Sequence, residues 1–163
     1  MVAALTYGGG SAEEVHELSE ILLLLPLLYL VVAKLHRRWT TWPLLAAGFA
    51  LVLGLRLVEL IPLPAVLPAI ALVVLVWGAA DGDLFRSGTF QVQALGTLAF
   101  MAAGLAGLAI APEAARYLVA AGWFFHGVWD LVHLRLDRAV SRSFAEWCAV
   151  IDIWIAAELL GLI

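Results

Sequence analysis

The chain has 163 residues, 64% of them hydrophobic and only 13% charged, with a mean hydropathy of +1.02. A soluble domain carries roughly 45–50% apolar and about 25% charged residues, so this composition reads as an integral membrane protein whose first partner is the lipid bilayer. A formal charge of -4 and a pI near 5.4 argue against a nucleic-acid partner, and the single cysteine, Cys148, excludes an internal disulfide and a CxxC metal or redox motif.

A spanning helix needs roughly 20 residues, so six spans would use about 120 residues and leave only short loops. The expectation is therefore an all-α polytopic bundle of six transmembrane helices, forming one domain over residues 1–163. The N-terminal stretch lacks the basic region of a secretory signal, and Gly8, Gly9 and Gly10 make a flexible break. Ser11 is a candidate N-cap, with Glu13 and Glu14 in the first turn of a helix over about 12–35. Glu13, His16, Glu17 and Glu20 share one face of its entry, and Pro26 lies inside it. Lys34, His36, Arg37 and Arg38 form a basic turn ahead of Trp39 and Trp42.

The second helix is expected over about 41–60, with Arg56 and Glu59 as i, i+3 neighbours that can neutralise each other. Pro62 and Pro64 turn the chain into a third helix over about 64–80. A polar loop from Asp81 to Gly88 precedes the fourth, about 90–111, which opens with Gln91 and Gln93. Gly96, Ala99, Ala103 and Gly107 lie along one face of this helix, so a neighbour can approach closely. The fifth helix, about 114–134, carries the motif GWFFHGVWDLVHL. The sixth runs from about 143 to the end, with Glu146, Cys148, Asp152 and Glu158.

Basic residues set the expected orientation. With six alternating spans, Lys34, Arg37, Arg38, Arg86, Arg135, Arg138 and Arg142 fall on one side and only Arg116 on the other. Positive residues mark the cytoplasmic side, so both termini belong outside, in a bacterial inner membrane. The second and fifth helices also align. Ala46-Ala47-Gly48-Phe49 matches Ala120-Ala121-Gly122-Trp123, and Arg56 and Glu59 fall over Asp130 and His133. Two halves, 12–81 and 90–163, would make a three-plus-three inverted repeat, a frequent transporter plan with its site between the halves. On that plan the second and fifth helices cross near the centre.

Within the motif, His126, Asp130 and His133 recur at i, i+4 and i+7, within ~60° of one another on a helix. Ionisable groups in a membrane helix are costly and usually face a protein interior. The expected polar positions form an outer group of Glu17, Glu20, Arg56 and Glu59 and an inner group of Gln91, Asp130, His133 and Glu146. His126 and Asp152 would connect them. Three chemistries remain open. His126, Asp130 and His133 are suitable ligand types for zinc or iron, although they extend ~10 Å along the axis and need help from Glu146 or Asp152. The same His and Asp residues suit proton handling, since histidine titrates near neutrality. Interhelical hydrogen bonding for packing alone is the third.

HGVWDLVH at His126 to His133, followed by CAVID at Cys148 to Asp152, resembles a pattern of small bacterial multi-helix membrane proteins. The resemblance covers the last two helices, implies a bacterial inner membrane and carries no activity with it. That pattern holds a second histidine where this chain has Leu134, a departure that weakens any metal argument taken from the family. The functional expectation is a small proton-coupled transporter or channel for a small solute. The alternatives are an intramembrane metal-dependent enzyme acting on a lipid-like substrate and a structural or partner subunit. A chain this short can also complete a pathway between two protomers, so a homodimer is compatible with it.

Overall fold

The computed structural model describes residues 10–58, 61–86 and 88–163. The break at Gly8 and Gly9, the acidic position Glu59 and the loop residue Ser87 lie outside them. The described chain forms α1 (Ala12–Leu35), α2 (Thr41–Val58), α3 (Leu63–Ala80), α4 (Thr89–Ala109), α5 (Pro112–Leu136) and α6 (Arg142–Leu159). Two short 3-10 turns, Arg38–Thr40 and Asp83–Phe85, join them, and no strand occurs among the described residues.

Local chemistry sets the ends of these helices. Ser11 and Glu14 form a reciprocal capping box: the Ser11 hydroxyl accepts from the Glu14 N–H at 3.2 Å, and the Glu14 carboxylate accepts from the Ser11 N–H at 3.3 Å. Pro62 stands at the N-cap of α3, and Pro112 opens α5, where a missing N–H costs no helical hydrogen bond. α1 ends at His36 and α5 at Asp137, both in the left-handed region at φ 54° and 48°. A left-handed residue closes a helix by returning its N–H to a carbonyl of the last turn.

α1 is the axis of the bundle. Its apolar window is 72% buried, against 17% for α2, 28% for α3 and 39% for α4. α4, α3, α5 and α2 pack around it, and α5 and α6 form a close pair. The contact of α4 with α1 depends on Gly104, where a Cβ would come within 2.7 Å of the Leu23 side chain and 3.0 Å of the Ser19 carbonyl. Of the expected small-residue face, Gly96 and Gly107 are buried against neighbouring helices and Ala103 is half-buried, whereas Ala99 is exposed and Gly104 adds the contact with α1.

Four helices, α1 to α4, are long and apolar enough to cross a membrane. The ionisable residues separate the other two from them: α5 carries the three polar motif residues, and α6 carries Arg142, Glu146, Asp152 and Glu158. The expected crossing of the second and fifth helices at the centre gives way to a central α1. A three-plus-three repeat equates α2–α3 with α5–α6, yet α5 and α6 pack along their length while α2 and α3 scarcely touch. The reason is chemical. α2 buries only Thr41, Leu45 and Val52, so it has little polar surface to hide, whereas α5 and α6 must enclose theirs.

One end of the bundle gathers the basic residues. Lys34 is buried, 2.6 Å from Asp81 and 2.7 Å from Asp83, with its ammonium 4.9 Å from the Trp77 ring centroid. That ammonium, hydrogen-bonded to Asp83, holds the Asp83 carboxyl below the usual aspartate value. Arg38 pairs with Asp137 and donates to the Val140 carbonyl at 2.9 Å, tying the start of α2 to the turn between α5 and α6.

Candidate functional site

The periodicity of α5 puts Trp123, His126, Gly127, Asp130 and His133 inward. On α6, Ala145, Cys148, Ala149, Asp152 and Ala156 do the same. Gly127 lets the two helices approach, since a Cβ there would lie 3.0 Å from Ile153 and 3.2 Å from the Asp152 Cβ. His126 therefore meets Asp152 directly. Its Nδ1 lies 2.7 Å from Asp152 Oδ2 and 3.4 Å from Asp130 Oδ2. Because a carboxylate accepts, Nδ1–H donates to Asp152.

Tyr29 of α1 completes the group by donating its hydroxyl hydrogen bond to Asp130 Oδ1. Exposure is 0% for His126 and Asp130 and 1% for Tyr29 and Asp152, so the four polar side chains are sealed from solvent. Within this group, two buried atoms have no hydrogen-bond partner: His126 Nε2 and Asp130 Oδ2. The His126 ring also packs edge-to-face on Phe100, with centroids 4.9 Å apart.

His133 belongs to a second network one turn farther on. Its Nδ1 lies 2.8 Å from the Trp129 carbonyl and its Nε2 lies 2.7 Å from Gln93 Nε2. A carbonyl only accepts, so Nδ1 carries the proton and Nε2 accepts from the Gln93 amide. The Trp129 indole donates to Gln93 Oε1 at 3.3 Å, which fixes the amide orientation and closes a loop from Trp129 back to Trp129. Gly96 provides room for this indole, since a Cβ there would lie 2.8 Å from it. His133 is thereby occupied within its own hydrogen-bonded loop and touches the His126 group only through the Tyr29 ring.

The structure redistributes the expected inner group. Asp130 and Asp152 join His126, while His133 turns to Gln93. Glu146 is exposed on α6, one residue off the buried face, so it contributes nothing to the interior. Gln91 is only half-buried, and Gln93 occupies the interior position instead. Tyr29 was not singled out from sequence at all. Its signal was a lone phenol inside the otherwise apolar run from Ile21 to Ala33.

At the opposite end, Arg56 lies 3.2 Å from Glu17 and 3.0 Å from Glu20, and His16 lies 3.7 Å from Glu20. A helix-one pair of acids thus holds the guanidinium. These residues line an open cleft of about 520 Å³, together with Glu13, Leu55 and Pro62. A smaller cleft of about 360 Å³ opens at the basic end between Gly88, Thr89 and Arg138 and reaches Gln93 and His133.

The buried four-residue group sits between these clefts. Toward the acidic end, Leu22, Leu25, Val119, Ala120, Trp123 and Leu159 close an apolar layer. Glu20 and Tyr29 are nine residues apart on α1, ~13 Å along the axis. Toward the basic end, the Tyr29 ring lies against His133, with centroids 5.2 Å apart. The buried group is therefore one side chain behind the cleft at the basic end, and an apolar layer separates it from the acidic one.

No protein-family model, curated protein or solved structure matches the chain.

Proposed function

We propose that the chain is a small multi-pass membrane transporter, in which His126, Asp130, Asp152 and Tyr29 form a proton-coupled site for a small solute. The observation that carries this reading is an inside-out distribution of polarity. Along the middle of α5 and α6 the outward faces show Phe124, Phe125, Val128, Val150, Ile153 and Trp154 exposed, while Asp130 and Asp152 are buried; Arg142, Glu146 and Glu158 are exposed toward the two ends of α6. Such a surface belongs in lipid, and buried ionisable residues in a membrane helix mark substrate and proton pathways. α5 and α6 then cross the membrane beside α1 to α4, which makes six spans. The basic end faces the cytoplasm and the acidic cleft faces outward, by the distribution of Lys and Arg.

A site one side chain behind one cleft and shut off from the other by an apolar layer has the arrangement of an occluded carrier. The pathway follows α1, α4, α5 and α6 and does not depend on equivalent halves. An enzyme acting on a lipid-like substrate would need that substrate to reach the same residues, and the cleft at the basic end stops at His133.

Proteoliposomes carrying an imposed pH gradient and an entrapped pH dye test the reading. Proton flux is expected from the wild-type chain, abolished in Asp130→Asn and retained in Glu17→Gln. Equal flux in wild type and Asp130→Asn would reject the site. The span count is tested by cysteine-accessibility labelling in a Cys148→Ala background. Cysteines at Arg37 and Arg138 should label from the cytoplasm and one at Glu113 from outside. Labelling of all three from one side would reject six spans.

A further inference from the structure

We infer that His126, Asp130 and Asp152 bind a divalent transition-metal ion, of the zinc, iron(II) or manganese(II) type, as the cargo of this site. The inference deepens the transport reading and rests on it for the word cargo, while binding stands on its own geometry.

Three donor atoms, one from each residue, lie within 4.8 Å of one another, and all three side chains are buried. Spacings of 2.7 Å and 3.4 Å from His126 Nδ1 to the two carboxylates bracket what an ion imposes, the ion taking the place of the Nδ1 proton, which is released on binding. With bonds of ~2.1 Å, neighbouring donors stand roughly 3.0 Å apart around an octahedral ion and roughly 3.4 Å around a tetrahedral one.

The hydrogen bonds leave this position underfilled. Buried polar atoms nearly always have partners, yet Asp130 Oδ2 has none while facing the imidazole. Tyr29 occupies the other oxygen, Oδ1, and so orients the carboxylate with Oδ2 free. An outer hydrogen bond that aims a ligand in this way is typical of metal sites.

The donor set also narrows the ion. Replacing His133 by Asp152 changes a two-imidazole set into one imidazole with two carboxylates, which disfavours soft ions such as copper(I). Cys148 is buried nearby but is not one of the three converging residues. Three protein ligands leave coordination positions open, whereas a structural zinc site closes with four. An open site suits an ion that arrives and leaves.

The experiment uses the full chain in lipid nanodiscs, stripped with EDTA and titrated with Zn²⁺ and with Mn²⁺ by calorimetry, with metal content measured after dialysis. One ion per chain is expected, with affinity falling at least tenfold in Asp152→Asn and little changed in His133→Gln. Absence of stoichiometric binding of both ions overturns the inference, as does loss in His133→Gln with none in Asp152→Asn. X-ray absorption on the zinc-loaded wild-type chain needs no variant to fold. Nitrogen and oxygen donors are expected, and a sulfur donor would overturn the set. Ion binding without flux in proteoliposomes would leave this site standing and reject transport. Proton flux without ion binding would do the reverse.

Discussion

Two clusters of ionisable side chains occupy this bundle, and they differ in nearly everything except composition. At the acidic end, Arg56 meets Glu17 and Glu20 with side chains 36%, 51% and 14% exposed. In the interior, His126 meets Asp130 and Asp152 with no more than 1% exposed. An exposed ion pair interacts through water and contributes little, whereas a buried one has large desolvation and large attraction nearly in balance. The first cluster can change without consequence to the fold. The second cannot lose a partner without stranding charge in an apolar interior.

The sharpest way to break this comparison is to remove the imidazole. His126→Ala takes the imidazole hydrogen bond from Asp152 and leaves that carboxyl facing Asp130, and breaking a buried pair costs about 3–5 kcal/mol. A large drop in thermal midpoint, or loss of monodisperse protein in detergent, is expected. A midpoint within a degree of wild type would show that the interior cluster is no more coupled than the surface one. Tyr29→Phe is the next test. It removes one hydroxyl from Asp130 and keeps the ring packing, and a hydrogen bond to a charged group is worth about 1.5–3 kcal/mol. Its midpoint should fall by less than that of His126→Ala, and an increase would contradict the assigned hydrogen bond.

Glu17→Gln should cost less than about 1 kcal/mol, and added salt should shrink the difference from wild type. A salt-independent loss would place this pair in a drier setting than its exposure indicates. The smallest effect is expected at the exposed clasp between Arg38 and Asp137. Arg38, hydrogen-bonded to Asp137, holds that carboxyl below its usual value, so the stabilisation is present above the unfolded value near 4 and is lost as pH falls through the depressed folded value. The thermal midpoint of Asp137→Asn should lie below wild type at neutral pH and converge with it in acid. A gap that widens on acidification would reverse the sign.

Much of the fold is legible in the sequence. Apolar runs separated by Pro, Gly and charged turns located all six helices to within a few residues, because turn chemistry and periodicity are local. The N-cap role of Ser11 is equally local, whereas the return hydrogen bond from Glu14 is seen in the structure. The i, i+4, i+7 spacing placed His126, Asp130 and His133 on one face, and that face is buried. Partner choice was not legible. Glu146 and Asp152 are both acids on α6, and only the rotation of that helix against Gly127 exposes one and buries the other.

Sequence by itself determined an all-helical chain with at least four helices fit for a membrane, an acidic and a basic end, and a polar face on α5. Tertiary structure alone decided that α1 is the axis, because the approach of α4 at Gly104 and the seating of Tyr29 against Asp130 depend on helices far apart in the chain. It also separated His133 from His126, since a side chain binds whichever partner a neighbouring helix presents. Gln93 claimed the one and Asp152 the other. Helical periodicity says which way a residue faces, and packing says what it meets there.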